Sequence, residues 1–319
     1  MRILVTGAAG FLGSHLCDAL IEQQHEVIGV DNLSTGSREN LEQLHAKKHF
    51  KFLEQDISAP FDPGHIDFIY NFASPASPLH YRRLGIETLR AGSYGIFNTL
   101  ELARKYNAGY LQASTAECYG DPKEHPQNEA YWGNVNPVGE RSVYDEAKRF
   151  AEATVMACHR YHGVQTRIAR IFNTYGPRLA AGDGRVVSNF ITDALAGRPL
   201  TVYGNGSQTR SFCYVSDLID GILRLAKSTE SLPINLGNPE ELSVFTLAQR
   251  VNEVLGTSSM IVFRDLPEDD PNRRQPDITR AKDLLGWSPR VALNEGLAET
   301  AKYFHEELAI SGSKKRFSS

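Results

Sequence analysis

Apolar residues recur along the first half of the chain in short, nearly continuous runs: Ile3–Thr6, Glu26–Asp31, Phe50–Asp56, Asp67–Ala73, Tyr110–Ser114 and Gln165–Phe172. Polar or glycine positions bound these runs, the pattern of strands buried on both faces. Between them lie amphipathic stretches, Gly13–Gln24, Leu84–Lys105 and Val143–His162, whose apolar positions recur at helical spacing. Strand and helix in alternation predict a parallel sheet covered on both faces. After Phe172 the pattern changes. Proline and glycine cluster at Gly176-Pro177 and Gly204-Asn205-Gly206. Helical stretches follow at Val187–Leu195, Val215–Ala226 and Leu242–Leu255, and a charged loop spans Glu268–Asp277.

Composition narrows the class without naming a function. The 319 residues, 41% hydrophobic and 23% charged with a net charge of -4, describe an ordinary globular chain. Its length suits a main domain with a smaller partner. The basic residues are scattered and show no aromatic interleaving, which argues against nucleic acid as a partner. No apolar run approaches the roughly 20 residues that span a bilayer, so no membrane association is expected. The opening Met1-Arg2-Ile3 reads as the start of a strand, so no signal peptide is expected. Cys17, Cys118, Cys158 and Cys213 are far apart, and neither they nor the ten histidines form a metal-ligand spacing. No metal is expected, and the cysteines read as small buried hydrophobes in a reduced, cytoplasmic setting.

The first chemistry lies in Gly7-Ala8-Ala9-Gly10-Phe11-Leu12-Gly13, which follows a strand and opens a helix. Glycines let the backbone turn tightly and approach phosphates, and the helix N-terminus offers free amides and partial positive charge. Asp31 ends the next strand, 18 residues after Gly13. A carboxylate there accepts hydrogen bonds from a ribose diol and repels a 2′-phosphate, which favours NAD over NADP. Arg38 nearby is the one residue that blurs this choice. Asp56, at the end of the third run, is a candidate contact for the adenine. The predicted fold class is therefore α/β: a Rossmann-type doubly wound parallel sheet with a smaller mixed α/β C-terminal substrate lobe. The boundary is expected at residues 172/173, with a segment of about 212–238 returning to the first domain and a flexible tail over 311–319.

Tyr144 and Lys148 stand four residues apart, on one helix face. A tyrosine has an ordinary pKa of about 10, too high for a base at neutral pH. A neighbouring ammonium and a cationic nicotinamide are expected to favour its phenolate. The fifth strand ends at Ser114-Thr115-Ala116-Glu117, where open α/β sheets bind ligands, and Thr115 is placed to share a proton network with Tyr144.

TGAAGFLG (6–13) with Asp31, STAE (114–117) and YDEAK (144–148) resemble the extended short-chain dehydrogenase/reductase superfamily. Further along, ASPASP (73–78), GDP (120–122), YWG (131–133), ARIFNTYGPR (169–178), DGRVVSNF (183–190), LTVYGNGSQTRSF (200–212), NLGNPEE (235–241) and DDPNRRQPDI (269–278) resemble the UDP-glucuronate decarboxylase family. The similarity runs from Met1 to about Glu307. It implies an enzyme, a carboxy-lyase that holds NAD, oxidises UDP-glucuronate at C4, loses CO2 from the 4-keto sugar and reduces the product to UDP-xylose. It implies catalytic roles for Tyr144, Lys148, Thr115, Glu117 and Arg274. Cofactor contacts are implied for Gly7, Gly10, Phe11, Leu12, Gly13, Asp31, Asn32, Ser34, Thr35, Gly36, Asp56, Ile57, Phe72, Ala73, Ser74, Ala113, Thr174 and Arg185. Substrate contacts are implied for Pro75, Tyr81, Arg90, Asn173, Val187, Ser188, Asn189, Phe190, Tyr203, Gln208 and Arg210. It also implies a homodimer formed through Leu84–Lys105 and Val143–His162.

The chain departs from the family's usual pattern at Ala91-Gly92, where Thr-Asn is common, at Ala116 and Cys118, and at Gly139-Glu140-Arg141-Ser142-Val143. The named catalytic residues are spared. A nucleotide-sugar 4,6-dehydratase is one alternative, but Ala116 stands where those enzymes usually carry an acidic aspartate. A 4-epimerase is another, with no need of Glu117 and Arg274 together. A non-enzymatic dinucleotide-sensing module is a third, and such modules typically lose the Tyr/Lys pair.

Overall fold

The structure, a computed structural model, describes residues 1–265 and 273–316, with the backbone alone over 309–316. Six strands of one parallel sheet come from the first half: β1 (Arg2–Thr6), β2 (Glu26–Asp31), β3 (Phe50–Glu54), β4 (Phe68–Asn71), β5 (Gly109–Thr115) and β6 (Thr166–Ile171). A seventh, Ile234–Leu236, pairs beside β6, giving the order Ile234–Leu236, β6, β5, β4, β1, β2, β3. Each of the six apolar runs matches one of these strands to within two residues at either end. The chain reverses direction across the sheet between β1 and β4, and that switch point opens the crevice in which such folds bind ligands.

Alternation along the strands builds two cores. Ile3 and Val5 of β1 point into one with Leu16 and Leu20 of α1 (Phe11–Glu22). Leu4 points into the other with Ile96 and Leu100. Burying each such side chain contributes about 1.5–3 kcal/mol. The segment expected to be one helix, Leu84–Lys105, is interrupted. After α2 (Pro78–Arg83) come α3 (Gly85–Gly92) and α4 (Tyr94–Tyr106), broken at Ser93 with φ -120° and ψ -79°. A Cβ on Gly92 would stand 2.6 Å from Ala147 Cβ of α5 (Ser142–His162), so the chain bends where it crosses α5 closely. The Ser93 hydroxyl donates to Leu89 O at 2.6 Å, which caps the break.

The second half contributes α6 (Val186–Leu195), α7 (Val215–Lys227), α8 (Val244–Leu255), α9 (Thr279–Leu285) and α10 (Leu293–Arg316). A third core joins Phe190, Leu200, Leu247, Leu297 and Phe304 beneath the substrate side of the crevice, while α7 packs with the first core through Leu218 and Ile222. Part of the charged loop Glu268–Asp277 lies outside the described residues. The tail expected to be flexible begins within α10, and its last residues, 317–319, lie outside the described residues. Among the described residues no helix is long and apolar enough to cross a membrane.

Candidate active site

A cavity of about 760 Å³ runs along the crevice from the glycine loop to the C-terminal lobe, a volume in the range of small-molecule sites. At one end the loop is made by sterics. Gly7 has φ +69°, and a Cβ there would stand 2.8 Å from the Phe72 and Ala73 backbone. A Cβ on Gly13 would stand 2.0 Å from Gly7 O. Gly10 caps α1 without any side-chain hydrogen bond, and no acid occupies the first turn. The first amides of α1 are therefore left for an anion. Asp31 is buried and accepts from Ala9 N at 3.0 Å and Leu33 N at 2.8 Å. Burial pushes its carboxyl up and these two amides pull it back. Asn32 donates to Asp56 at 3.0 Å, tying the ends of β2 and β3 together. Arg38 pairs with Glu54 and lies over Phe52, so it is drawn away from Asp31. This cradle fits a dinucleotide with a free ribose diol.

In the middle of the cavity, β5 delivers Thr115, the turn Ala116–Tyr119 delivers Glu117, and α5 delivers Tyr144 and Lys148. Lys148 donates to Ala113 O at 2.9 Å and its Nζ lies 5.6 Å from the Tyr144 ring centroid. Burial lowers the Lys148 ammonium to about 8. Burial also raises the Tyr144 phenol above its ordinary value, and a hydrogen bond with Thr115 opposes this. Both groups are thus desolvated together, and burial is the largest influence on Tyr144 in the protein alone.

Glu117 is gripped from two sides. Arg141 Nη2 donates to its Oε2 at 2.7 Å. Arg274 places Nη2 at 3.3 Å from the same oxygen and Nη1 at 3.0 Å from Oε1. Burial works to raise the carboxyl, but Arg274 and Arg141 prevail and hold it at about 2. Arg274 arrives on the short strand Arg273–Arg274, in parallel register with Arg210, and donates to Gly120 O at 2.9 Å. Gln127 fixes that strand by accepting from Gln275 N and donating its own N–H to Gln275 O, both at 2.9 Å. Asp145, beside Tyr144, is 5% exposed and its Oδ1 has no hydrogen-bond partner. Burial, then Glu117, raises its carboxyl to about 7.

At the other end Asn173, Thr174, Arg185, Val187, Asn189, Phe190, Tyr203, Gln208 and Arg210 line the wall. Gln208 donates to Tyr203 O at 2.7 Å. The cofactor-side candidates Phe11, Leu12, Ser34, Thr35, Ile57, Phe72, Ala73, Ser74 and Ala113 also line the cavity, as do Pro75 and Tyr81. Three expected residues do not. Gly36 packs behind the loop, where a Cβ would meet Ala9 C at 2.9 Å. Ser188 is fully buried and donates to Asp183 and Arg185 O, supporting that turn from behind. Arg90 is exposed on α3 and acts on Asp56 only through its charge. Sequence reasoning assigned no role to Arg141 or Asp145. Arg141 stands three residues before Tyr144, so the helix spacing carried a signal for it.

The NAD dependent epimerase/dehydratase family matches residues 3–237. UDP-glucuronic acid decarboxylase 1 of Arabidopsis thaliana is 49% identical over 308 residues, 97% of this chain and 71% of that protein. UDP-glucuronic acid decarboxylase 1 of Danio rerio is 51% identical over 307 residues, 96% of this chain and 73% of that protein. Among solved structures, UDP-glucose 4-epimerase of Thermotoga maritima, with UDP-glucose, superposes with a TM-score of 0.89 at 31% identity, covering 97% and 100% of the two chains. UDP-glucuronic acid 4-epimerase of Bacillus cereus, in complex with UDP-glucuronic acid and NAD, gives 0.86 at 27% identity over 96% and 99%.

Proposed function

The chain belongs to the NAD dependent epimerase/dehydratase family, in its UDP-glucuronic acid decarboxylase group, and we propose that its cavity converts UDP-glucuronate to UDP-xylose and CO2. The observation that carries this reading is the Glu117–Arg274 pair beside Tyr144 at the centre of the cavity. The cofactor is NAD, and residues 1–172, with about 212–238, are assigned to holding it. Residues 173–319 are assigned mainly to the nucleotide sugar.

NAD, when bound, supplies a hydride acceptor and donor for C4 and, in its oxidised form, a positive charge that favours the Tyr144 phenolate. Tyr144 takes the proton of the 4-hydroxyl, and Thr115 shares it through their hydrogen bond. Lys148, held by Ala113 O, fixes the ring and presents its ammonium to it. The resulting ketone lies β to the sugar carboxylate. The C5–C6 bond breaks, CO2 leaves, and the electron pair passes into an enolate. Arg274 faces that charge. A proton is delivered to C5 on the Glu117 side, and Tyr144 returns its proton to O4 as the ketone is reduced. A dehydratase outcome lacks its acid, since position 116 is a buried alanine.

Incubation of the purified protein with UDP-glucuronate and catalytic NAD+ tests the reading by NMR. UDP-xylose is expected, and Tyr144→Phe should abolish it. Recovery of UDP-galacturonate, or of unchanged substrate, would refute it.

The helices α3, α4 and α5 expose Ile86, Tyr94, Phe97 and Phe150, with Phe97 and Phe150 in edge contact at 6.0 Å. This apolar face supports a two-fold homodimer. The free cysteines support a reducing, cytoplasmic location.

A further inference from the structure

Asn235 is fully buried between Ile234 and Leu236 in the seventh strand of the sheet, away from the cavity lining. Asparagine is disfavoured in strands, and its amide is costly to bury unless every polar atom finds a partner. Here each one does. Oδ1 accepts from the Tyr119 hydroxyl at 2.7 Å, and Nδ2 donates to Gln127 O and to Asp277 O, each at 3.0 Å. Its backbone N–H donates to Glu129 Oε1 at 2.9 Å.

The bonds run in two directions. On the Oδ1 side, the Tyr119 hydroxyl accepts from Arg170 Nη1 at 3.1 Å. Arg170 is held by both carboxyl oxygens of Glu152 on α5, at 2.9 and 2.7 Å, and Glu152 accepts from the Ser114 hydroxyl of β5. These are the elements that deliver Thr115, Tyr144 and Lys148. On the Nδ2 side lies the segment that delivers Arg274. Its strand belongs to a small three-stranded sheet, apart from the seven-stranded one. Gln127 O accepts from Asp277 N at 2.9 Å as well as from Asn235, and Gln127 Oε1 accepts from Gln275 N at 2.9 Å. One amide therefore ties the frame that carries Tyr144 to the strand that carries Arg274.

We propose that Asn235 is a positioning residue for the reaction, acting through Gln127 and Asp277 to set where Arg274 meets Glu117 relative to Tyr144. The inference rests on the decarboxylase reading above.

Asn235→Asp is the selective probe. It keeps the size of the side chain and the oxygen that Tyr119 needs, but it turns the donor facing two carbonyls into an acceptor. Gln127→Met is the second variant, of similar size, and removes the acceptor for Gln275 N while leaving Asn235 intact. Hydrogen exchange followed by mass spectrometry should quicken about tenfold or more at Gln275 and Asp277 in both variants and stay unchanged over 109–115. With NAD saturating, kcat for CO2 release should fall about ten- to hundredfold, as for a displaced reacting group, while the Kd for UDP changes less than about twofold. In an Arg274→Met background, with radiolabelled substrate, either substitution should change the residual rate less than about twofold, because both act through the side chain already removed. Losses that multiply with Arg274→Met, or exchange unchanged at Gln275 and Asp277, overturn the proposal. If the unsubstituted protein releases no CO2, the decarboxylase reading fails on its own, and faster exchange confined to 273–277 still upholds the clasp.

Discussion

Replacing Asp145 by Asn should make the protein more stable, by an amount that depends on pH. Asp145 is 5% exposed, one carboxyl oxygen has no hydrogen-bond partner, and Glu117 lies within electrostatic reach. Burial, then Glu117, moves its carboxyl from 3.8 to about 7. At about 1.36 kcal/mol per unit, this penalty on the charged form reaches up to about 4 kcal/mol. In the unfolded chain the group ionises near 3.8, whereas in the fold it stays protonated up to about pH 7. Unfolding between these values releases a proton, so Asp145 costs the native state progressively more as pH rises through the window, and its full cost applies above it. Asn cannot ionise and keeps a similar shape. The stability gap between Asp145→Asn and the parent should widen by about 2.5 kcal/mol from pH 5 to pH 8, mostly below pH 7. Groups that titrate alike in both proteins cancel, and Glu117, held at about 2, stays ionised throughout. Urea unfolding followed at pH 5, 6, 7 and 8, with NAD saturating, reads the gap directly. A gap that does not change with pH would mean that Asp145 is not buried as an unpaired acid.

Gly13→Ala places a Cβ 2.0 Å from Gly7 O and 2.7 Å from Gly7 C, both backbone atoms. Overpacking of this kind costs about 1–3 kcal/mol, so the loop should open and NAD affinity fall roughly ten- to hundredfold. Cofactor retained after gel filtration measures this, and undiminished retention contradicts the steric argument. Arg141→Met removes the 2.7 Å bond to Glu117 while leaving Arg274 in place. A bond to a charged group is worth about 1.5–3 kcal/mol, so kcat for CO2 release should drop about tenfold or more while the Kd for UDP is unchanged. A parallel loss of UDP affinity would show that the site has collapsed and not merely lost its grip on Glu117.

What the sequence disclosed and what it hid separate along one physical line. Strands β1, β2, β4 and β5 were legible because burial on both faces leaves a nearly continuous apolar run, a signal written into consecutive residues. The glycine loop and Asp31 were legible because a tight turn and a strand end demand particular residue types at short spacing. The break at Ser93 was not, since Gly92 meets Ala147 of a helix 50 residues on, and the apolar spacing continues through the bend. Arg274 lies 157 residues from Glu117, and only resemblance, not periodicity, had linked the two. The dominance of burial at Tyr144 was hidden for a related reason. Spacing on a helix shows that Lys148 is near, but not that Ala113 O holds its ammonium or that both groups are out of water. Local pattern reports which residues are neighbours, whereas a pKa depends on everything that replaces water around them. The same reasoning separates Tyr81 from an ordinary core tyrosine. Periodicity along α2 gives no hint of its function, and only resemblance had placed Tyr81 among the substrate contacts. Its meaning comes from an unpaired hydroxyl, a parallel ring on Tyr144 and an arginine brought in from a strand that the sequence left inside a charged loop.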